Sequence, residues 1–156
     1  MRTEGILTRS AIVKVPFHDV DRMSVVWHGH YAKYLEIARC ELLDSIRYNY
    51  DEMEASGFLW PIIDMQMRYI KGARFGQEIR ISASLVEWEH RLKINYLITA
   101  ANNGERLLRA STTQVAVSIA NGEMQWASPD ILLQRVSELH STTHQSFTNA
   151  GDSVCS

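Results

Sequence analysis

Apolar and polar positions alternate at the start of this chain, change period, and then alternate again. At residues 11–17 the apolar side chains fall on Ala11, Val13, Val15 and Phe17, the two-residue repeat of a half-buried strand. From His30 to Arg47 the repeat lengthens. Tyr31, Leu35, Ala38, Leu42 and Ile46 recur at steps of three and four, and Tyr34, Ile37 and Leu43 widen that face. Lys33, Glu36, Asp44 and Arg47 gather on the other side. This spacing predicts a long helix buried over much of its circumference.

Beyond the loop that holds Gly57, alternation returns. Ile63, Met65, Met67 and Tyr69 alternate with Asp64, Gln66 and Arg68, which reads as a central strand. Gly72 and Gly76 punctuate a turn at residues 71–78. Ile79, Ile81, Ala83 and Leu85 form the next apolar series, and Leu92, Ile94, Tyr96 and Ile98 the one after. Asn103-Gly104 marks a hairpin, and Leu107 to Ala120 is a further β-rich run ended by Asn121-Gly122. Ser128 and Pro129 suit the cap and first turn of a short helix ending near Leu139. The order is strand, long helix, then at least four consecutive antiparallel strands. Such an α+β chain must lay its helix against one face of the sheet, which then wraps it. The expected organisation is one domain over residues 1–140 and a polar, disordered tail over 141–156.

Composition narrows the functional classes. Hydrophobic residues are 46% and charged residues 22%, as in ordinary globular proteins, and the net charge of -2 offers no basic excess for nucleic acid. No apolar segment is long enough to span a bilayer, and the N-terminus lacks the apolar centre of a signal peptide. Cys40 and Cys155 lie far apart and form no disulfide framework, so the cytoplasm is the expected compartment. No cofactor is expected.

The stretch DVDRMSVVWHGHY, residues 19–31, carries the candidate chemistry. His18, Asp19, Asp21, His28 and His30 contain ligand types for a metal-dependent hydrolase, although these residues form no His-x-x-x-His spacing and include no Cys pair. Read alone, Asp21 is an N-cap or Asx-turn residue, or a catalytic carboxylate. Phe17, Asp19, Asp21, Val26, Trp27, His28 and Tyr31, followed by a helix, resemble the signature of the 4-hydroxybenzoyl-CoA thioesterase family. The segment RYIKGARFGQEI, with Ala73 and Arg74 at its turn, resembles that family's strand–turn–strand unit. Two residues depart from the pattern: Ser24 stands where Gly is usual, and His30 where Asn is common.

The resemblance implies a hotdog fold, with an antiparallel sheet wrapped around one long helix, over roughly residues 10–138. It implies hydrolysis of an acyl-CoA or acyl-carrier-protein thioester. Asp21 would be the nucleophile or general base towards water. The backbone N–H of His28, at the helix start, would stabilise the oxyanion, and its side chain would orient water or protonate the leaving thiolate. Asp19 would hold the loop. Trp27 and Tyr31 would line the acyl pocket, and Asp64 would complete the site from a facing strand. His90, Arg91 and Lys93 would meet the phosphates of CoA. The family also implies a homodimer or homotetramer, through pairing of sheet edges. A hotdog module that binds an acyl chain without turning it over is the non-enzymatic alternative.

Overall fold

The computed structural model describes residues 5–148, with side chains described as far as Thr142. In chain order the elements are β1 (Leu7–Lys14), α1 (Tyr31–Ser45), α2 (Tyr50–Ala55), β2 (Phe58–Leu59), β3 (Ile62–Tyr69), β4 (Glu78–Glu87), β5 (Leu92–Ala100), β6 (Arg106–Gln114), β7 (Val117–Ser118) and α3 (Asp130–Thr148). Five strands form one antiparallel sheet in the order β1-β4-β5-β6-β3, and β2 pairs with β7 beside it.

The helix α1 packs on one face of this sheet, against β1 and β4. Its apolar positions Leu35, Ala38, Leu42 and Leu43 are buried against the alternate residues Ile79, Ile81, Ala83 and Leu85 of β4. Ile94 and Ile98 of β5 continue the same layer. Each such leucine or isoleucine contributes about 1.5–3 kcal/mol on burial. The register places Ile81 opposite Ile98 and Leu85 opposite Ile94, so the apolar sets of neighbouring strands face the helix together. Among the described residues no helix is long and apolar enough to cross a membrane.

Several boundaries differ from the sequence expectations. The first strand ends at Lys14, and Phe17, 75% exposed, belongs to a single 3-10 turn. The strand holding Asp64 is an edge strand and not a central one. The helix α2 was not expected, because YDEMEA has no apolar period. It is closed by a capping box, in which the Asn49 side chain accepts from Glu52 N–H and Glu52 Oε2 accepts from Asn49 N–H. The run from Leu107 to Ala120 splits, since β6 ends at Gln114 and Val117–Ser118 leave to pair with β2. Ser128 does not cap α3: its buried hydroxyl has no hydrogen-bond partner, and its N–H donates to Glu89 O. That helix also runs past Leu139 to Thr148, into residues expected to belong to a disordered tail. Residues 149–156, the rest of that expected tail, lie outside the described residues.

Candidate active site

The loop before α1 is a tight hairpin. Asp21 N–H donates to Val25 O, Ser24 N–H donates to Asp21 O, and Val20 bridges Val26. This is a turn followed by a left-handed residue, the arrangement of a three-residue hairpin loop. Ser24 occupies that left-handed position, at φ 61°. Glycine adopts it freely and a residue with a Cβ does so at a cost. The departure from Gly noted in the sequence therefore falls on the position where Gly helps most.

Asp21 Oδ1 accepts the N–H of Met23 at 2.8 Å, an Asx-turn. Among the described residues its other carboxylate oxygen has no hydrogen-bond partner. The Asx-turn and catalytic readings are thus compatible, because one oxygen orients the group and leaves the second available.

Asp19 is held quite differently. It is 2% exposed, accepts from Lys33 Nζ at 2.7 Å and from Tyr34 Oη at 2.6 Å, and its backbone O receives the N–H of Trp27. Burial opposes its charge, but the bonds from Lys33 and Tyr34 outweigh that, and the carboxyl is held below its ordinary value. Burial, and then the bond to Asp19, push the Tyr34 hydroxyl up, so Tyr34 stays a donor. Asp19 thereby clamps the loop to the first turns of α1.

The helix start is pinned from two further directions. Val26 N–H donates to Ala73 O, and Ala73 N–H donates to Tyr31 Oη at 3.0 Å. Tyr69, the last residue of β3, donates its hydroxyl to His28 O at 2.9 Å. A 3-10 turn over His28–His30 leads into α1. The first N–H groups of such a helical start lack intrahelical acceptors, and the dipole adds partial positive charge there. Trp27, 47% exposed, lies beside the His28 ring at a centroid distance of 4.8 Å and the His30 ring at 5.2 Å. It also covers Gly29, where a Cβ would come within 2.2 Å of the indole.

The structure thus gathers Asp21, Trp27, His28 and Tyr31 at one end of the sheet. Tyr31 is 2% exposed and ties the helix to the β3–β4 connection, which makes it more a structural post than a pocket wall. Asp64 is not brought to this site within the chain. It shares with Gln66 and Arg68 the face of β3 turned away from α1, whereas Tyr69 and Met67 share the other. His90 and Arg91 lie in the β4–β5 connection, and Lys93 near the start of β5. That hairpin is the far end of β4, about 30 Å of strand from the end near Asp21 at ~3.3 Å per residue. Arg91 is moreover paired with Glu87 at 3.0 Å.

The sequence reading missed groups that are nearer. A cleft of about 460 Å³ on the β3–β4 connection is lined by Lys71, Arg74 and Phe75, among others. Lys71 is paired with Glu105 at 2.8 Å. Arg74 bridges Val25 through its backbone, so it adjoins the Asp21 hairpin. Its place in the resembling turn was the available signal. The clamp by Lys33 and Tyr34 had only their helical spacing as a sign.

A metal centre is poorly served by this arrangement. His18 Nε2 and His30 Nδ1 are 3.8 and 4.0 Å from Asp19 Oδ1, but the ammonium of Lys33 already occupies that oxygen. Among the described residues no group of three or more His, Cys, Asp or Glu could hold a metal ion.

A Synechocystis protein named as a candidate esterase is 30% identical over 129 residues, covering 82% of this chain and 78% of its own. The YneP protein of Bacillus subtilis, named as a candidate acyl-CoA thioesterase, is 26% identical over 67% of this chain and 76% of its own. The crystal structure of a 1,4-dihydroxy-2-naphthoyl-CoA thioesterase from Synechocystis superposes with a TM-score of 0.75 at 19% identity. It covers 85% of this chain and 97% of that one, so the fold is the hotdog fold. The profile of the thioesterase-like superfamily matches residues 15–139, and the chain belongs to that family.

Proposed function

We propose that this thioesterase-family enzyme hydrolyses an acyl thioester of CoA or of acyl carrier protein at the Asp21–His28 end of α1. The observation that carries this reading is the contrast between the two aspartates. Asp19 is buried and saturated by Lys33 and Tyr34, while Asp21 is oriented through one oxygen with the other unengaged. Asp21 acts on the thioester carbonyl directly or through a water molecule. The His28 N–H, at the positive end of α1, stabilises the oxyanion. The exposed His28 ring is the nearby group for the leaving thiolate. Trp27 walls the acyl side, and Arg74 offers a cation on the same end for the carrier's phosphate. The unpaired Cys40 fits a reducing compartment, the cytoplasm.

A dimer fits the placement of the basic hairpin. Within one chain His90, Arg91 and Lys93 lie at the opposite end of the sheet from Asp21. Antiparallel pairing of two β3 edges reverses one sheet relative to the other, which brings the hairpin of a second copy to the end that holds Asp21.

The test is a panel of aromatic, short and long acyl groups on CoA and on carrier protein, read by thiol release. Asp21→Asn retains an oxygen for the Met23 N–H, so it spares the turn while removing the base or nucleophile. Turnover is expected to fall by about 10³-fold, within the 10²–10⁴ that a positioned general base contributes. Turnover unchanged in Asp21→Asn would sink the assignment. Tight acyl-CoA binding without release would favour the non-catalytic module.

A further inference from the structure

The core holds a charged side chain that the chemistry above does not use. Arg39 lies in the middle of α1 and is 2% exposed. Its Nη2 pairs with one oxygen of Glu36, whose other oxygen accepts from the Tyr50 hydroxyl. Nε and Nη1 of Arg39 are buried and have no hydrogen-bond partner among the described residues. A buried donor without an acceptor is costly and calls for an explanation. The Arg39 charge reaches Tyr96 of β5, whose hydroxyl is pushed up by burial and drawn the other way by Arg39. Tyr96 Oη and Thr112 Oγ1 lie 3.0 Å apart. One of these hydroxyls donates to the other, which leaves the second with a hydrogen to give. Donors therefore outnumber acceptors at this point between α1 and the sheet.

The same point lies one step inward from the candidate active site. Tyr31, Leu35 and Arg39 follow at four-residue intervals on one stripe of α1. Tyr31 packs on Tyr69 of β3, with ring centroids 5.7 Å apart. Since α1 covers β1 and β4, the inner face of β6 and β3 runs beside that stripe. Its floor starts at Tyr69, which holds His28 O, and continues through Met67, Ala110 and Tyr96 in one row to Met65 and Thr112 in the next. Met65 and Tyr69 are partly exposed there, and methionine adapts to the shape of what lies on it. The Tyr96 row is about 7 Å from the Tyr69 row at ~3.3 Å per residue. Along α1, Arg39 is about 12 Å from Tyr31 at ~1.5 Å per residue.

We infer that Arg39 selects the far end of the acyl group, and that this end carries a carboxylate. The inference rests on the hydrolysis proposed above and names its substrate class, a monothioester of a dicarboxylic acid whose free carboxylate lies about 7–12 Å from the thioester. A carboxylate only accepts, so its two oxygens answer Nε, Nη1 and the spare hydroxyl together and bring no further donor. A hydroxyl terminus adds a donor where donors are already in excess, and a methyl terminus leaves the guanidinium as it stands. The Glu36 side chain is 41% exposed, so solvent screens its repulsion of the incoming carboxylate.

The experiment uses the full chain and measures kcat/KM by thiol release. The probes are adipoyl-, suberoyl- and sebacoyl-CoA, the ω-hydroxyacyl-CoAs of the same lengths, and hexanoyl-, octanoyl- and decanoyl-CoA. At the best length the native chain should favour the carboxylate over the methyl terminus by about tenfold or more, the worth of one bond to a charged group. Arg39→Met keeps an unbranched apolar stem and should cut that ratio by about tenfold, whereas Arg39→Lys keeps the charge and should retain part of it. A loss of packing alone would lower every substrate together and leave the ratio as it was. The native ratio is read without any variant, so a variant that does not fold cannot protect the inference. Equal native rates on carboxylate and methyl termini, a preference for the hydroxyl terminus, or an unchanged ratio in Arg39→Met would each overturn it. Calorimetric titration with the same CoAs separates the two readings. Arg39-dependent binding of the dicarboxylic thioesters without thiol release overturns hydrolysis and keeps the Arg39 site. Release with a ratio indifferent to Arg39 does the reverse, and binding of none of the CoAs overturns both.

Discussion

Replacing Tyr34 with phenylalanine deletes one oxygen and little else. That oxygen donates at 2.6 Å to a carboxylate that is almost wholly buried. A hydrogen bond to a charged group contributes about 1.5–3 kcal/mol, and the buried acceptor left behind cannot recover it from water. The variant should therefore be about 2 kcal/mol less stable, which for a chain of this length lowers Tm by about 4–8 °C. The deficit should also depend on pH. Asp19 has a carboxyl held below 3.8 in the native state, so its ionised form contributes stability above that pH. The contribution is lost as pH falls through the lowered native value. Tyr34→Phe removes part of the cause, so the gap between variant and native should be full near neutral pH and shrink below about pH 3.8. Urea denaturation of both proteins at neutral pH and at successively lower pH measures it. A gap under about 0.5 kcal/mol at neutral pH, or one unchanged by acid, would refute the view of Asp19 as an ionised clamp, given the usual strength of such bonds.

Other substitutions test neighbouring parts of the site. Ser24→Gly should raise stability by about 1 kcal/mol, since it removes the left-handed strain at φ 61°, and a thermal melt would show it. Gly29→Ala places a methyl group 2.2–2.4 Å from the Trp27 ring and should displace the indole. The expected result is a several-fold rise in KM with the circular dichroism spectrum unchanged; an unchanged KM would remove Trp27 from the acyl wall.

The sequence made the long helix and the strands β4 and β5 legible because their apolar positions recur with one clear period. Their register against the helix followed from the same positions. The place of β3 at the sheet edge was not legible, since MQMRY alternates as β4 does and alternation does not reveal which side lacks a neighbour. The helix α2 escaped a search for apolar period because its stability lies in the Asn49–Glu52 cap. The inequality of Asp19 and Asp21 was readable from the motif, but the agents of it were not. Lys33 and Tyr34 act through a fold in the chain that brings α1 back over the loop, which spacing along a helix does not disclose. The basic hairpin was assigned from the family resemblance and its local charge, whereas its distance from Asp21 is a property of strand direction.

The clamp on Asp19 joins residues only 14 and 15 positions apart, and Val20 meets Val26 within the same short span. The pairing of β1 with β4 spans far more of the chain, as in Ser10 opposite Ser82. Closing a loop of that shorter size takes about 10–100 ns and costs less entropy than the long closures of the sheet. The loop and helix start therefore form a local unit that can assemble before the strands find one another. During folding, the carboxylates are set in place early and the β3 edge of the sheet comes last.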